Sequence, residues 1–152
     1  MKFLLIGKNG QVGWELNRSL SKLGNVFAVG RNELDLSMPE TLGAIIQDIR
    51  PDIILNAAAY TDVDKAESEP ELAMTVNGIS PGIIAIEAKK IGAGMIHYST
   101  DYVFDGKATF PYKEENPIYP LNIYGKSKLV GEQAVIQVGI PHIIIRTSWV
   151  YS

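Results

Sequence analysis

The stretch from Lys2 to Gly13 leaves few folds open to this chain. Lys2-Phe3-Leu4-Leu5-Ile6 is a short, continuous apolar run, the pattern of a strand buried on both faces. Gly7-Lys8-Asn9-Gly10-Gln11-Val12-Gly13 follows at once, and then Trp14, Leu16, Leu20 and Leu23 recur at helical spacing up to Gly24, read as a C-cap. The order is strand, glycine loop, helix. Glycines without Cβ let a backbone turn tightly and approach a pyrophosphate, and a helix N-terminus offers free N–H groups to an anion. Gly7, Gly10, Gln11, Val12 and Gly13 are therefore candidate dinucleotide ligands, with a merely tight strand–helix turn as the plain alternative.

The rest of the chain repeats this alternation. Asn25 to Val29 reads as a second strand and ends at Gly30-Arg31, where such folds place the group that reads the adenosine ribose. An arginine there can face a 2′-phosphate, which suggests that NADPH is accepted; a solvated loop arginine is the alternative. Leu34-Asp35-Leu36 looks like a short third strand. Ser37 and Glu40 form a capping-box pattern with Pro39 in the first turn of a helix that Pro51 stops. Asp52 to Asn56 is a fourth strand and runs into Ala57-Ala58-Ala59-Tyr60-Thr61, small residues against which a flat ligand can lie or a core can pack tightly. Glu71 to Ile91 reads as a long helix in which Gly78 and Pro81-Gly82 mark a kink or break. Met95 to Ser99 is a fifth strand and Pro141 to Thr147 holds a sixth. The aperiodic stretch 105–120, with Pro111, Pro117 and Pro120, reads as a functional or mobile loop. The expected fold is α/β, a doubly wound, Rossmann-like parallel sheet of six strands in one domain.

Leu121 to Val135 reads as the helix that carries chemistry. Tyr124 and Lys128 stand at i and i+4, on one face. A free tyrosine is a poor acid at neutral pH, and a nearby ammonium favours the phenolate and pulls the pKa down. The pair reads either as an acid/base unit or as a solvated helix face. Ligands in such sheets bind at the carboxyl ends of the strands, where the glycine loop, Asn56 to Thr61, Ser99-Thr100 and Ser148-Trp149 all fall. Together they indicate a nicotinamide-dependent carbonyl or alcohol oxidoreductase.

Composition removes other classes. There is no cysteine, so disulfides, zinc-thiolate sites and cysteine nucleophiles are out. A net charge of -3, with both signs interspersed, marks neither a nucleic-acid nor a membrane surface. No apolar run reaches membrane-spanning length and no signal peptide precedes the first strand, so a cytoplasmic location is expected. The histidines carry no ligand spacing; His97, inside an apolar strand, reads as a satisfied core residue.

With its G-x-x-G-x-x-G loop, NAAAYT, STDYVFDG, YxxxK helix and RTSWVY, the chain resembles the extended short-chain dehydrogenase/reductase family. NAAAYTDVDKAE and STDYVFDG are similar to the branch that reduces the 4-keto group of a dTDP-linked 4-keto-6-deoxy sugar to give dTDP-L-rhamnose. That resemblance implies that Tyr124 is the proton donor, that Lys128 binds ribose, and that Thr100 hydrogen-bonds the carbonyl. It implies that Gly10, Gln11 and Val12 hold the pyrophosphate, that Asp35-Leu36 form the adenine pocket, and that Ala59, Tyr60 and Thr61 contact the cofactor, NADPH or NADH. Asp101 and Trp149 match sugar-nucleotide contacts. Glu15 matches a magnesium-linked carboxylate at a dimer surface in some members, whereas its own setting reads as a solvated helix residue; the resemblance leaves the metal unknown. It also implies a further, smaller C-terminal domain that these 152 residues do not contain, so residues 1–152 are expected to be the cofactor-binding domain. An epimerase or dehydratase of the same superfamily and a non-catalytic NADP-binding regulatory subunit are the competing readings. The absence of an Asp-Glu pair after Thr100 favours the reductase.

Overall fold

Long runs of Val, Ile and Leu with no polar alternation suit strands covered on both sides, which is how parallel sheets are built. In the computed structural model, which describes residues 1–151, five such runs form one sheet. They are β1 (Lys2–Ile6), β2 (Asn25–Val29), β3 (Ile53–Asn56), β4 (Gly94–Thr100) and β5 (His142–Thr147). All pairings are parallel, in the order β2-β1-β3-β4-β5. The register pairs Ile6 with Val29 on one side and Asn56 on the other, and Asn56 with His97. The carboxyl ends of the strands therefore form one edge. The chain leaves β1 toward β2 and later returns to β3 on the opposite side. The sheet's switch point thus lies between the ends of β1 and β3, where such folds open a crevice.

Helix α1 (Gln11–Leu20) packs on one face, over Phe3, Leu5 and Leu55. Helices α2 (Leu42–Ile49), α5 (Ser80–Ile91) and α6 (Ile123–Val138) cover the other, where Leu4, Ile6, Ile46, Ile54, Ile84, Met95 and Val135 make the larger core. Short helices α3 (Val63–Ala66) and α4 (Pro70–Met74) lead into α5 through a π-helical turn, Thr75–Ile79. Pro81 accounts for that turn. It has no N–H to donate and its ring would strike the carbonyl of Asn77, so the ladder shifts and Ser80 N–H bonds Thr75 O instead. The expected interruption is present, but the helix widens rather than breaking.

The structure corrects other expectations. Among the described residues the sheet has five strands rather than the expected six, because Leu34-Asp35-Leu36 is not a strand. Both leucines are buried, but the Asp35 carboxylate accepts from Ser37 N–H and Ser37 Oγ, and Met38 N–H bonds Asp35 O, which folds the segment into turns. Ser37 is thereby used up and forms no capping box; the turn at Pro39–Thr41 has no side-chain cap. Helix α1 ends at Leu20 with Ser21 as its cap. Gly24 serves close approach instead: a Cβ there would lie 2.2 Å from Met1 O. Helix α6 begins at Ile123, capped by Asn122 Oδ1 accepting from Gly125 N–H at 2.7 Å. Gly125 and Gly131 are packing sites, since a Cβ would lie 2.3 Å from Tyr102 O and 2.1 Å from Asn77 O respectively. They let α6 settle against the end of β4 and the π turn.

Candidate functional site

A groove of about 430 Å³ opens at the switch point. Gly7, Gly10, Arg31, Asp35, Leu36, Ala59, Tyr60 and Thr61 line it, all of them singled out in the sequence. Gln11, Val12 and Gly13 start α1 beside it and are not part of its wall. Gly13 is the tightest point. A Cβ there would sit 1.9 Å from Gly7 O, so only glycine lets the helix start this close to the loop. The first turn of α1 has no acidic residue and no side-chain cap. Its free N–H groups are thus left to an anion, and the site fits a dinucleotide pyrophosphate.

The end of the groove at Arg31 is polar and partly exposed. Arg31 Nε donates to Asp35 Oδ2 at 3.1 Å. Burial acts to raise the Asp35 pKa, but the Ser37 donors and Arg31 outweigh it and leave it lowered. Lys8 Nζ reaches Glu33 Oε1 at 2.5 Å, and that bond, followed by the Gly30 N–H bond, lowers the Glu33 pKa. Lys8 and Arg31 at this end thus both have carboxylate partners.

One buried residue ties the groove to α6. Asn77 Oδ1 accepts from Tyr60 N–H at 2.9 Å, while its Nδ2 donates to Tyr60 O at 3.0 Å and Ser127 Oγ at 3.1 Å. Ser127 Oγ donates to Tyr124 O at 2.8 Å. The phenol of Tyr60 bonds Glu69 Oε2 at 2.7 Å; desolvation, then Glu69, pushes its pKa up to about 12. Sequence reasoning missed Asn77. The only local hint is a polar residue at the helix break before Gly78 and Pro81.

The second half of the site lies where α6 crosses the ends of β4 and β5. Thr100 is buried at the end of β4; its Oγ1 donates to Asp101 Oδ1 and accepts from Tyr102 N–H, each at 3.2 Å. The Tyr124 ring packs edge-on against Tyr102. Lys128, one turn on, is 2% exposed, and its Nζ donates to Tyr98 O at 2.6 Å. Desolvation pulls the Lys128 pKa down to about 8, with Glu132 acting to raise it. The solvated-face reading of this pair is excluded by that burial. The expected lowering of the Tyr124 pKa is also corrected. Burial, chiefly, raises it; Thr100 acts to lower it, Asp101 and Tyr102 add to the rise, and Lys128, turned to Tyr98 O, takes no part.

His97 is only half satisfied. Its Nδ1 meets Asn56 Nδ2 at 3.2 Å, while Nε2, like Ser99 Oγ, is buried with no partner among the described residues. Desolvation and then the Lys128 charge hold the imidazole pKa well below its ordinary value. Asp101 lines a separate cavity of about 260 Å³ with Tyr102, Asp105, Tyr112 and Asn122. Trp149, 77% exposed beyond β5, lines neither cavity. Glu15 is paired with Arg18 at 2.7 Å, and among the described residues no group of three or more His, Cys, Asp or Glu is placed to hold a metal ion. No described helix is long and apolar enough to cross a membrane.

A glycine-loop groove at the switch point of a parallel sheet, linked to a buried lysine one turn from a tyrosine, defines a Rossmann-like α/β domain with its site where such folds hold their ligands. The chain belongs to the family described as the RmlD substrate binding domain, whose model matches residues 1–152. It is 52% identical over 152 residues to the dTDP-4-dehydrorhamnose reductase of Burkholderia thailandensis, covering 100% of this chain and 51% of that protein. It is 51% identical to the enzyme of that name from Escherichia coli strain K12, covering 100% and 52%. A Bacillus anthracis dTDP-4-dehydrorhamnose reductase solved in complex with NADP superposes with a TM-score of 0.93 at 38% identity, covering 99% of this chain and 54% of that one. The chain spans about half the length of the curated relatives it matches.

Proposed function

We propose that residues 1–152 form the cofactor-binding domain of an NADPH- or NADH-dependent reductase that converts the 4-keto group of dTDP-4-dehydro-L-rhamnose into the hydroxyl of dTDP-L-rhamnose. One observation carries this reading: Asn77 joins the nucleotide groove, through Tyr60, to the helix that presents Tyr124 and Lys128. The names of the relatives and the NADP complex of the Bacillus anthracis protein support it.

A bound nicotinamide supplies the hydride. The chain's own groups do the rest. Tyr124 gives its phenolic proton to the ketone oxygen, and its raised pKa keeps that proton in place at neutral pH. The Thr100 hydroxyl donates to the same oxygen as negative charge develops, where a preorganised donor gains most. Lys128 contributes a buried ammonium to hold ribose, and Arg31 and Asp35 receive the adenosine end. Asp101 and Trp149 face the sugar nucleotide.

Titrating NADPH against the purified chain, read by cofactor fluorescence, tests this. Saturable binding is expected. A folded chain that shows none at millimolar NADPH would overturn the reading.

A further inference from the structure

Helix α6 places Tyr124, Lys128 and Glu132 at successive turns. Glu132 is not among the groups given a binding or proton-transfer role above, yet it is 1% exposed, and carboxylates are almost never fully buried unless paired. Arg146 of β5 is its partner, with Nε and Nη2 donating to its two oxygens at 2.9 and 2.6 Å. The guanidinium is itself fixed from the other side. It lies over the Phe104 ring, 5.2 Å from the centroid, Phe104 stacks on Tyr112, and Nη1 reaches Glu114 O. A buried ion pair is a weak source of stability, because desolvating two charges offsets their attraction. Its place one turn from a buried lysine has electrostatic consequences.

Among the described residues, β4, α6 and β5 bring polar and charged groups to the Lys128 corner. From β4 come the Tyr98 carbonyl and His97, held neutral by burial; from α6, Tyr124 and Glu132; from β5, Arg146 behind Glu132. Glu132 is the carboxylate among them. We infer that Glu132 is a positioning residue, the buried counter-charge that keeps Lys128 an ammonium at neutral pH, with Arg146 fixing the carboxylate in place. Burial draws the lysine down and Glu132 opposes it, in agreement with that geometry. The functional meaning rests on the role given to Lys128 above, but its test does not depend on turnover.

The experiment follows the Lys128 side chain by NMR in the full chain labelled with ¹³C,¹⁵N-lysine, assigned by the signal lost in Lys128→Arg. Glu132→Gln is expected to lower the Lys128 midpoint by about one pH unit or more, the effect of removing a nearby opposite charge. The double variant Glu132→Gln/Arg146→Met, which strands no buried charge, is expected to lower it too. Arg146→Met alone leaves the carboxylate and is expected not to lower it. A packing role has the opposite sign: loosening α6 admits water and moves Lys128 up toward its ordinary value. A midpoint that stays or rises in the Glu132 variants overturns the inference, and if the single variant does not fold, the double variant decides. NADPH binding by the wild-type chain is read separately, so failure here is distinct from failure of the proposed reductase.

Discussion

The groove and the α6 corner belong to one sheet edge but are built from opposite materials. The groove is backbone and small side chains, and its charges are half-buried or exposed and paired near the surface, Lys8 with Glu33 and Arg31 with Asp35. The corner is built from buried ionisable groups: His97 is 0% exposed, Lys128 2% and Glu132 1%. In the first, shape is the constraint, and a single methyl group in the wrong place is costly. In the second, charge is the constraint, because each buried charge needs a partner. Surface pairs are worth little by comparison.

The largest effect on stability is expected from shape. Gly13→Ala drives a Cβ into Gly7 O, and overpacking of this kind costs about 3 kcal/mol when backbone must move. Urea denaturation should show that loss, and NADPH titration should show binding abolished. Asn77→Ala, at the junction of the two halves, is expected next. It leaves Tyr60 N–H and O without partners and should cost about 2 kcal/mol. It should also weaken cofactor binding while Asn77→Asp, which keeps the acceptor for Tyr60 N–H, restores part of it. If Asn77→Ala changes stability but not binding, the groove and α6 are not coupled through it.

The corner should also give stability a pH dependence. His97 has its folded pKa depressed, so the unfolded chain binds the proton first. Its contribution is full above the unfolded value of about 6.5 and is lost as pH falls below it, with a slope of up to about 1.4 kcal/mol per pH unit. Denaturation at stepped pH should show that slope, and His97→Gln should flatten it. The smallest effect is expected at the Arg31 end of the groove. Arg31 is 75% exposed, so Arg31→Ala should weaken NADPH binding by no more than about 1 kcal/mol and leave NADH unchanged. Equal losses for both cofactors would remove Arg31 from the 2′-phosphate.

The two halves were not equally legible in the sequence. The groove was, because strand, glycine loop and small-residue patch are contiguous signals: Gly7, Gly10, Ala59, Tyr60 and Thr61 line it, whereas Gln11, Val12 and Gly13 do not and Asp35 and Leu36 reach it from turns rather than from a strand. Leu34 to Leu36 misled because an alternating apolar doublet resembles a strand, while Asp35 turns the chain through Ser37. The tyrosine–lysine spacing was also visible, but not its electrostatics. Asn77 meets Ser127 across a sequence separation of 50, Asn56 meets His97 across 41, and Glu132 meets Arg146 across 14. No helical or strand period reports such pairs, and burial, which sets the direction of the Tyr124 and Lys128 shifts, is a property of the packed chain.

The decisive comparison is between wild-type and Tyr124→Phe proteins, turning over dTDP-4-dehydro-L-rhamnose with NADPH across a pH series. The substitution keeps the ring and removes only the hydroxyl. Turnover should fall by at least about 100-fold, the low end for general acid catalysis, with NADPH affinity little changed. Because burial raises the Tyr124 pKa, wild-type kcat should stay level through neutral pH and fall only in the alkaline range, as the phenol loses its proton. A Tyr124→Phe protein with near-normal kcat and the wild-type pH profile would contradict the assignment of Tyr124 as the acid, and with it the chemistry placed on α6.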